Sequence, residues 1–370
     1  MLKIFFACGG SGGHVNPAIA IADYIKTLPG AQICFGGAVG GIENTLVPRA
    51  GYDIKTVVVS NFRRSLSPGA IKHNIISAKN AMASRGAATK ILKDFAPDIV
   101  VGMGGFASYP FVKAAQRLGI KTAIHESNAV PGLTTKTLAK KADAVLVNFE
   151  QSKKDYNPAK THVVGMPARA FDIEGIDPAG FKQELFGDQK PMVLAFWGSL
   201  GALNLNLKMV DFIKQASAEK QFNFIMATGK NSYDRVLEKM SEQGVENAGN
   251  VRVVEYIYEM PKYMTAADLV LCRAGASTLS EICTLAKPAV FIPSPYVTAN
   301  HQHENARIAQ TTGGAVILEE NNTEAGQIYS TVAGLVKDKE RLAQMAAGLG
   351  TLSVNNSIGL IVQILFDLVK

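Results

Sequence analysis

Short, continuous apolar runs alternate with longer segments of helical periodicity almost from end to end, and this alternation constrains the fold more than any other feature of the sequence. In the first half the strand-type runs are Lys3-Ala7, Gln32-Phe35, Ile54-Val59, Asp98-Val101, Thr122-His125, Ala144-Val147 and His162-Val164. Helical periodicity falls between them at Pro17 to Leu28, Ala70 to Phe95, Pro110 to Leu118 and Leu133 to Lys140. Apolar strands without in-out alternation, separated by helices, indicate βαβ units around a parallel sheet buried on both faces. The pattern then restarts. Met192-Phe196, Phe222-Ala227, Val251-Val254, Leu269-Leu271, Ala289-Ile292 and Ala315-Leu318 alternate with helical stretches such as Leu203 to Ala218 and Thr278 to Ala286.

Two α/β domains are implied, each a doubly wound Rossmann-like sheet, with ligands expected in a cleft at the carboxyl ends of the strands. The length of 370 residues agrees with two domains. The expected boundaries are 1–165 and 166–350, with the linker in the Gly/Pro/Asp-rich stretch 172 to 191. A terminal segment, 351–370, carries a last helix from Asn355 that is free to pack on either domain, a return to the first being the expectation. Apolar residues at 47%, charged residues at 19% and a mean hydropathy of +0.11 exclude a disordered chain. The longest apolar stretch near the end, Ile358 to Val369, is broken by Gln363 and Asp367, so no membrane span is expected. The opening run to Cys8 is shorter than a signal-peptide core and reads as a buried first strand. Cys8, Cys34, Cys272 and Cys283 form no C-x-x-C pair and support neither a disulfide framework nor a zinc site, which fits a reducing cytoplasm.

Charge is distributed unevenly. Residues 1–165 carry +11 and residues 166–370 carry −4. Either the first domain faces a polyanion or an anionic surface, or the excess is uninvolved surface charge.

Glycine and polar clusters come after several strands. Gly9-Gly10-Ser11-Gly12-Gly13-His14 precedes a helix that Pro17 can open, so main-chain N–H groups can face an anion at a positive helix end. It lacks the G-x-G-x-x-G spacing, and no acid ends the second strand, which disfavours a dehydrogenase. His14 is either a general base or phosphate donor, or structural. Gly102-Met103-Gly104-Gly105-Phe106 comes after the fourth strand and His125-Glu126-Ser127-Asn128 after the fifth; the second cluster suits a hydroxyl-rich substrate or simple helix capping. In the second half, Trp197-Gly198-Ser199-Leu200-Gly201-Ala202 and Arg273-Ala274-Gly275-Ala276-Ser277-Thr278-Leu279-Ser280-Glu281 each join a strand to a helix. Glu281 is placed to accept both hydroxyls of a ribose, although Ser277 with Ser280 or Glu281 also resembles an imperfect capping box. His301 and His303, two apart, point in different directions on a helix and make a poor metal pair. With no Asp-x-Asp triplet, phosphate falls to backbone amides, Ser199, Arg169 and helix ends, with no metal and no cofactor.

Together these loops resemble the two-domain GT-B glycosyltransferases of the MurG family, which act in bacterial peptidoglycan synthesis. The likeness runs from Gly9 to about Glu319 and rests on the motifs at 9–14, 102–106, 125–128 and 273–281 with His-Gln-x-x-Asn-Ala at 301–306. It implies an inverting transfer of N-acetylglucosamine from UDP-N-acetylglucosamine to the C4 hydroxyl of lipid I, the undecaprenyl-diphosphate-linked muramyl pentapeptide, giving lipid II. The resemblance implies donor contacts from Ser11, Gly12, Gly13, Asn128, Arg169, Ser199, Ile257, Ala276, Ser277, Thr278, Leu279, Ser280, Glu281 and Gln302. Ile257 would offer its backbone to uracil, Glu281 would hold the ribose and Ser199 the diphosphate. His14 would be the base, with Glu126 as the alternative. The sequence departs from the family pattern at Trp197-Gly198-Ser199-Leu200, Gly165-Met166-Pro167 and Ala299-Asn300; Leu200 replaces a side-chain amide expected near the donor.

The implied acceptor gives the basic half a partner. Arg63, Arg64, Lys72, Lys79, Arg85, Lys136, Lys140 and Lys141, with Ile71, Ile75, Ile76 and Met82, suggest a peripheral face on the cytoplasmic side of an anionic membrane, and no nucleic acid. The apolar four are equally compatible with an ordinary core. The rival readings are a transferase of the same fold acting on another lipid or aglycone, a UDP-sugar 2-epimerase, and a nucleotide-sugar-binding scaffold.

Overall fold

The computed structural model describes residues 2–59, 83–167, 173–198, 201–247 and 249–370. Arg169, Ser199 and Leu200, together with the basic and apolar positions named between 63 and 82, lie outside the described residues. The chain divides into two compact units, Met1–Arg169 with Val354–Lys370, and Ala170–Ser353.

The first unit holds seven strands: β1 (Leu2–Ala7), β2 (Ala31–Ala38), β3 (Ile54–Val57), β4 (Ile99–Gly102), β5 (Lys121–Glu126), β6 (Ala144–Val147) and β7 (Thr161–Val163). All pair in parallel in the order β3-β2-β1-β4-β5-β6-β7. The second holds β8 (Met192–Phe196), β9 (Asn223–Ala227), β10 (Val251–Val254), β11 (Leu269–Cys272), β12 (Ala289–Phe291) and β13 (Ala315–Ile317), parallel in the order β10-β9-β8-β11-β12-β13. Both are the doubly wound sheets expected from the alternation, and each reverses strand order beside its first strand.

The apolar runs are continuous because both sheet faces are covered. Ile4, Phe6 and Val101 face one core, with Val15, Ile19 and Ala22 of the helix Gly12–Lys26 and Ile361, Val362 and Leu365 of the terminal helix Ser357–Val369. Phe5, Val100 and Ile124 face the opposite core, under Phe111 and Val112 of the helix Ser108–Leu118 and Leu92 of the helix at 83–95. Each fully buried Phe or Ile contributes about 1.5–3 kcal/mol relative to exposure. The second sheet packs Val193, Phe224 and Leu271 against the helices Leu203–Glu219 and Ala325–Lys337.

Three local expectations change. The first helix begins at Gly12, five residues before Pro17, which therefore stands inside it. Pro17 has no N–H to donate to the Gly13 carbonyl, and the glycine loop itself becomes the first turn. The helix Ala276–Thr284 begins after Gly275 in extended conformation with no side-chain cap, so Ser277 lies in the first turn rather than capping it. The stretch read as a linker holds a helix, Pro178–Phe186. Asp177 caps it by accepting from the Ala179 N–H, Pro178 opens it, and Gly187 closes it at φ 75°. The residues that resemble a linker are this helix's start and stop signals.

Candidate active site

Strand register fixes which loops meet. In the first unit Ala7 pairs with Gly36 on one side and Gly102 on the other, so the loops leaving β1, β2 and β4 emerge together. Gly104 and Gly105 take φ of 97° and 76°. A Cβ on Gly104 would stand 2.7 Å from His14 Nδ1, and one on Gly105 would collide with the Gly9 carbonyl. Only glycine permits this approach, and it holds the half-exposed His14 ring against the second glycine loop. Ser11 has extended geometry and makes no side-chain cap, which leaves the Gly12 and Gly13 amides of a 15-residue helix available to an anionic or hydroxylic ligand.

Beside this loop, β5 ends in His125 and Glu126, both buried. Glu126 accepts from the Asn128 N–H at 3.0 Å, the Asn128 side-chain amide at 3.2 Å and the Gly132 N–H at 3.0 Å. Its carboxylate thus shapes the turn that presents Asn128. His125 donates through Nε2 to the Gly165 carbonyl at 3.3 Å, and burial drives it down to about 4, so it is neutral near pH 7.

In the second unit Phe196 pairs with Cys272, bringing the loops after β8 and β11 side by side. They border a cavity of about 500 Å³ whose lining includes Trp197, Arg273, Ser294, Tyr296, Gln302 and Glu320. Gln302 accepts from the Ser294 N–H at 2.8 Å. Asn305 donates to the Ala274 carbonyl at 3.0 Å, tying the helix His301–Thr311 to the loop after β11. The Arg273 guanidinium reaches the Glu320 carboxylate at 2.6 Å and the Ile292 carbonyl at 2.8 Å, all buried. Ala276, Ser277 and Thr278 occupy the uncapped first turn; Leu279 is fully buried and its N–H donates to the Gly275 carbonyl at 2.8 Å. Desolvation pushes the Glu281 carboxyl up to about 7. Ile257 is buried in the loop after β10, between the exposed Tyr256 and Tyr258.

Thus His14, Ser11, Gly12, Gly13, Glu126 and Asn128 lie on the β-strand carboxyl ends of the first unit, and Ile257, Ala276 to Glu281 and Gln302 on those of the second. His303 bonds Glu319 through Nε2 at 2.9 Å, and among the described residues no group of three His, Cys, Asp or Glu is placed to hold a metal. Sequence reasoning missed the Arg273–Glu320 pair, whose partners are 47 positions apart, and the buried Glu43, whose only signal is the glycine-rich run around it.

Family models describe the two halves separately: residues 4–147 match the glycosyltransferase family 28 N-terminal domain, and residues 192–358 its C-terminal domain. The chain belongs to glycosyltransferase family 28. A relative from Acetivibrio thermocellus, named UDP-N-acetylglucosamine–N-acetylmuramyl-(pentapeptide) pyrophosphoryl-undecaprenol N-acetylglucosamine transferase, is 37% identical across 100% of this chain and 99% of its own. A Bacillus thuringiensis protein of the same name, numbered 2, is 35% identical across the whole of both chains. The crystal structure of Acinetobacter baumannii MurG superposes with a TM-score of 0.77 at 25% identity, over 99% of this chain and 100% of that one. A UDP-GlcNAc 2-epimerase from Neisseria meningitidis superposes at 0.67 over 99% and 100%, and at 15% identity it shares the fold alone. The double Rossmann plan of family 28 accounts for both sets of loops.

Proposed function

We propose that this family 28 enzyme transfers N-acetylglucosamine from UDP-N-acetylglucosamine to the C4 hydroxyl of lipid I, releasing UDP and forming lipid II. The observation that carries the reading is identity of 35–39% to relatives of that name over 93–100% of the chain. His14 takes the proton of the attacking hydroxyl as its oxygen bonds to the anomeric carbon from the face opposite the departing diphosphate, so the configuration inverts. Glu126 positions Asn128 toward the donor and is the alternative base. Glu281 accepts the ribose hydroxyls, the Ile257 main chain meets uracil, and Gln302 with the 276–280 turn, Ser199 and Arg169 holds the sugar and diphosphate. Ser11, Gly12 and Gly13 offer amides and a hydroxyl in the first unit. The 2-epimerase alternative predicts release of UDP and an isomerised sugar without acceptor.

The test is a transfer assay with labelled UDP-N-acetylglucosamine and a short-chain lipid I analogue. Label in the lipid, absent with UDP-N-acetylgalactosamine, supports the reading; tight UDP binding without label in the lipid assigns another acceptor.

We also infer a peripheral position on the cytoplasmic membrane face, where a lipid-linked acceptor would be met. No helix among the described residues is long and apolar enough to cross a membrane. Arg85, Lys113, Arg117 and Lys141 crowd together, and burial plus their mutual repulsion lowers the Lys113 amine. Anionic headgroups relieve such repulsion, each basic residue near the surface contributing on the order of 1 kcal/mol. Flotation with anionic but not neutral vesicles, lost on Lys72→Glu with Lys79→Glu, is the expected result; binding indifferent to lipid charge sinks it.

A further inference from the structure

One buried carboxylate in the first unit stands outside the set of residues assigned to the transfer. Glu43, at the start of the helix Glu43–Arg49, is fully buried. Its oxygens accept the Ala38 N–H at 2.8 Å and the Gly10 N–H at 3.2 Å. Three glycines from two stretches enclose it: a Cβ at Gly9, Gly37 or Gly41 would collide with its side chain. Gly10 itself takes φ of 84°, the left-handed region. The same loop meets the second glycine loop on its other side, where Gly105 fits against the Gly9 carbonyl and Gly104 against His14. The Cys8 thiol next in sequence is pushed up, by burial first and then by the neighbouring Glu43.

We propose that Glu43 is a positioning residue for the transfer: by accepting the Gly10 N–H it sets the curvature of the loop that presents His14. A carboxylate suits this better than an amide because both of its oxygens accept, and the two N–H groups it bonds come from different strand ends. The assignment rests on His14 acting as the base. A merely structural Glu43, favourable at its own helix start, contributes to stability but leaves turnover per folded molecule unchanged.

Glu43→Gln keeps the shape and one acceptor while turning an amide N–H₂ toward one of the two donors. In the full chain at a temperature where it is folded, kcat is expected to fall on the order of 10-fold or more, since small misplacement of a reacting group costs up to about 100-fold. The Kd for UDP stays within about twofold, because the uridine contacts belong to the second unit, and the Gly10 amide resonance moves upfield in the ¹H–¹⁵N spectrum. Glu43→Asp, which keeps the charge but withdraws the oxygens by one methylene, is expected to lower kcat similarly and serves if the Gln variant fails to fold. Wild-type kcat in either folded variant overturns the proposal, as does an unmoved Gly10 resonance. Absence of transfer by the wild-type enzyme alongside is a failure of the lipid I reading instead, and the resonance still reports on Glu43.

Discussion

The two units share one strand order but use its carboxyl edge differently. In the first unit, glycines at 104 and 105 admit a half-exposed imidazole against the backbone, while Glu43 and Glu126 are buried, Glu43 accepting from main-chain donors and Glu126 from main-chain donors and the Asn128 amide. In the second, a cavity is bordered by a buried ion pair, an amide side chain and the uncapped start of the helix Leu203–Glu219. One edge presents a group able to move a proton; the other presents groups suited to hold a ligand. Under the proposed assignment, two copies of one topology divide chemistry from recognition through the loops that leave their first and fourth strands.

The division breaks first at His14. His14→Ala is expected to lower kcat by about 10²–10⁴, the usual contribution of a positioned base, with UDP affinity unchanged. Equal losses in both would move His14 to the recognition side. Next in size is the second unit's frame. Arg273→Met leaves the Glu320 carboxylate buried without its cation and should destabilise the fold by about 3–5 kcal/mol, read as a lowered denaturation midpoint, with partial recovery in the Arg273→Met/Glu320→Gln double variant. A change below about 1 kcal/mol would mean that solvent reaches Glu320 and that the pair is not part of the frame.

Glu281 sharpens the comparison through pH. In the proposed role its ionised form is the one that accepts two ribose hydroxyls, and burial lifts the group to about 7. UDP affinity should therefore weaken about tenfold per unit as pH falls below 7 and level off above it. Glu281→Gln should remove that slope and weaken binding at about pH 8 roughly 10- to 100-fold, since hydrogen bonds to charged groups are worth about 1.5–3 kcal/mol. Stability runs the other way: with its pKa raised in the fold, ionised Glu281 costs stability that is absent below its ordinary carboxylate range, accumulates up to about 7 and persists above. The Gln variant should accordingly melt higher than wild type at about pH 8 and no higher at about pH 4.

Those groups differ in how far the sequence disclosed them. Both sheets were legible because parallel strands buried on two faces must be apolar throughout, and Ala144–Val147, Met192–Phe196 and Val251–Val254 occur at the expected residues. Glu281 was singled out by the motif after β11 and Gln302 by the family resemblance alone, and the structure places them in the helices Ala276–Thr284 and His301–Thr311. Helix starts were legible at Leu133 and Leu203 but not at the first helix, where Pro17 suggested a first turn and the helix begins at Gly12. Asp177, Pro178 and Gly187 resembled a linker because capping residues and turn residues are the same few types. Glu43 was illegible because a buried carboxylate is recognised by the donors around it, and those come from Gly10 and Ala38, remote from it in pattern though one lies only five residues away.

The smallest effect belongs to the histidine that looks most like chemistry. His303 stands two residues from His301 in a run dense with polar groups, yet its Nε2 meets Glu319 at 2.9 Å and the carboxylate is half-exposed. An exposed pair of this kind contributes about 0.2–1 kcal/mol, screened further by salt. His303→Gln keeps a donor of similar reach and should change the melting midpoint only slightly, leaving kcat and UDP affinity within about twofold. Its neighbour on the same helix is the contrast: Gln302 holds the Ser294 N–H at the cavity wall, so Gln302→Ala should weaken donor binding where His303→Gln does not. A large loss from His303→Gln would extend the recognition surface of the second unit around that helix to Glu319.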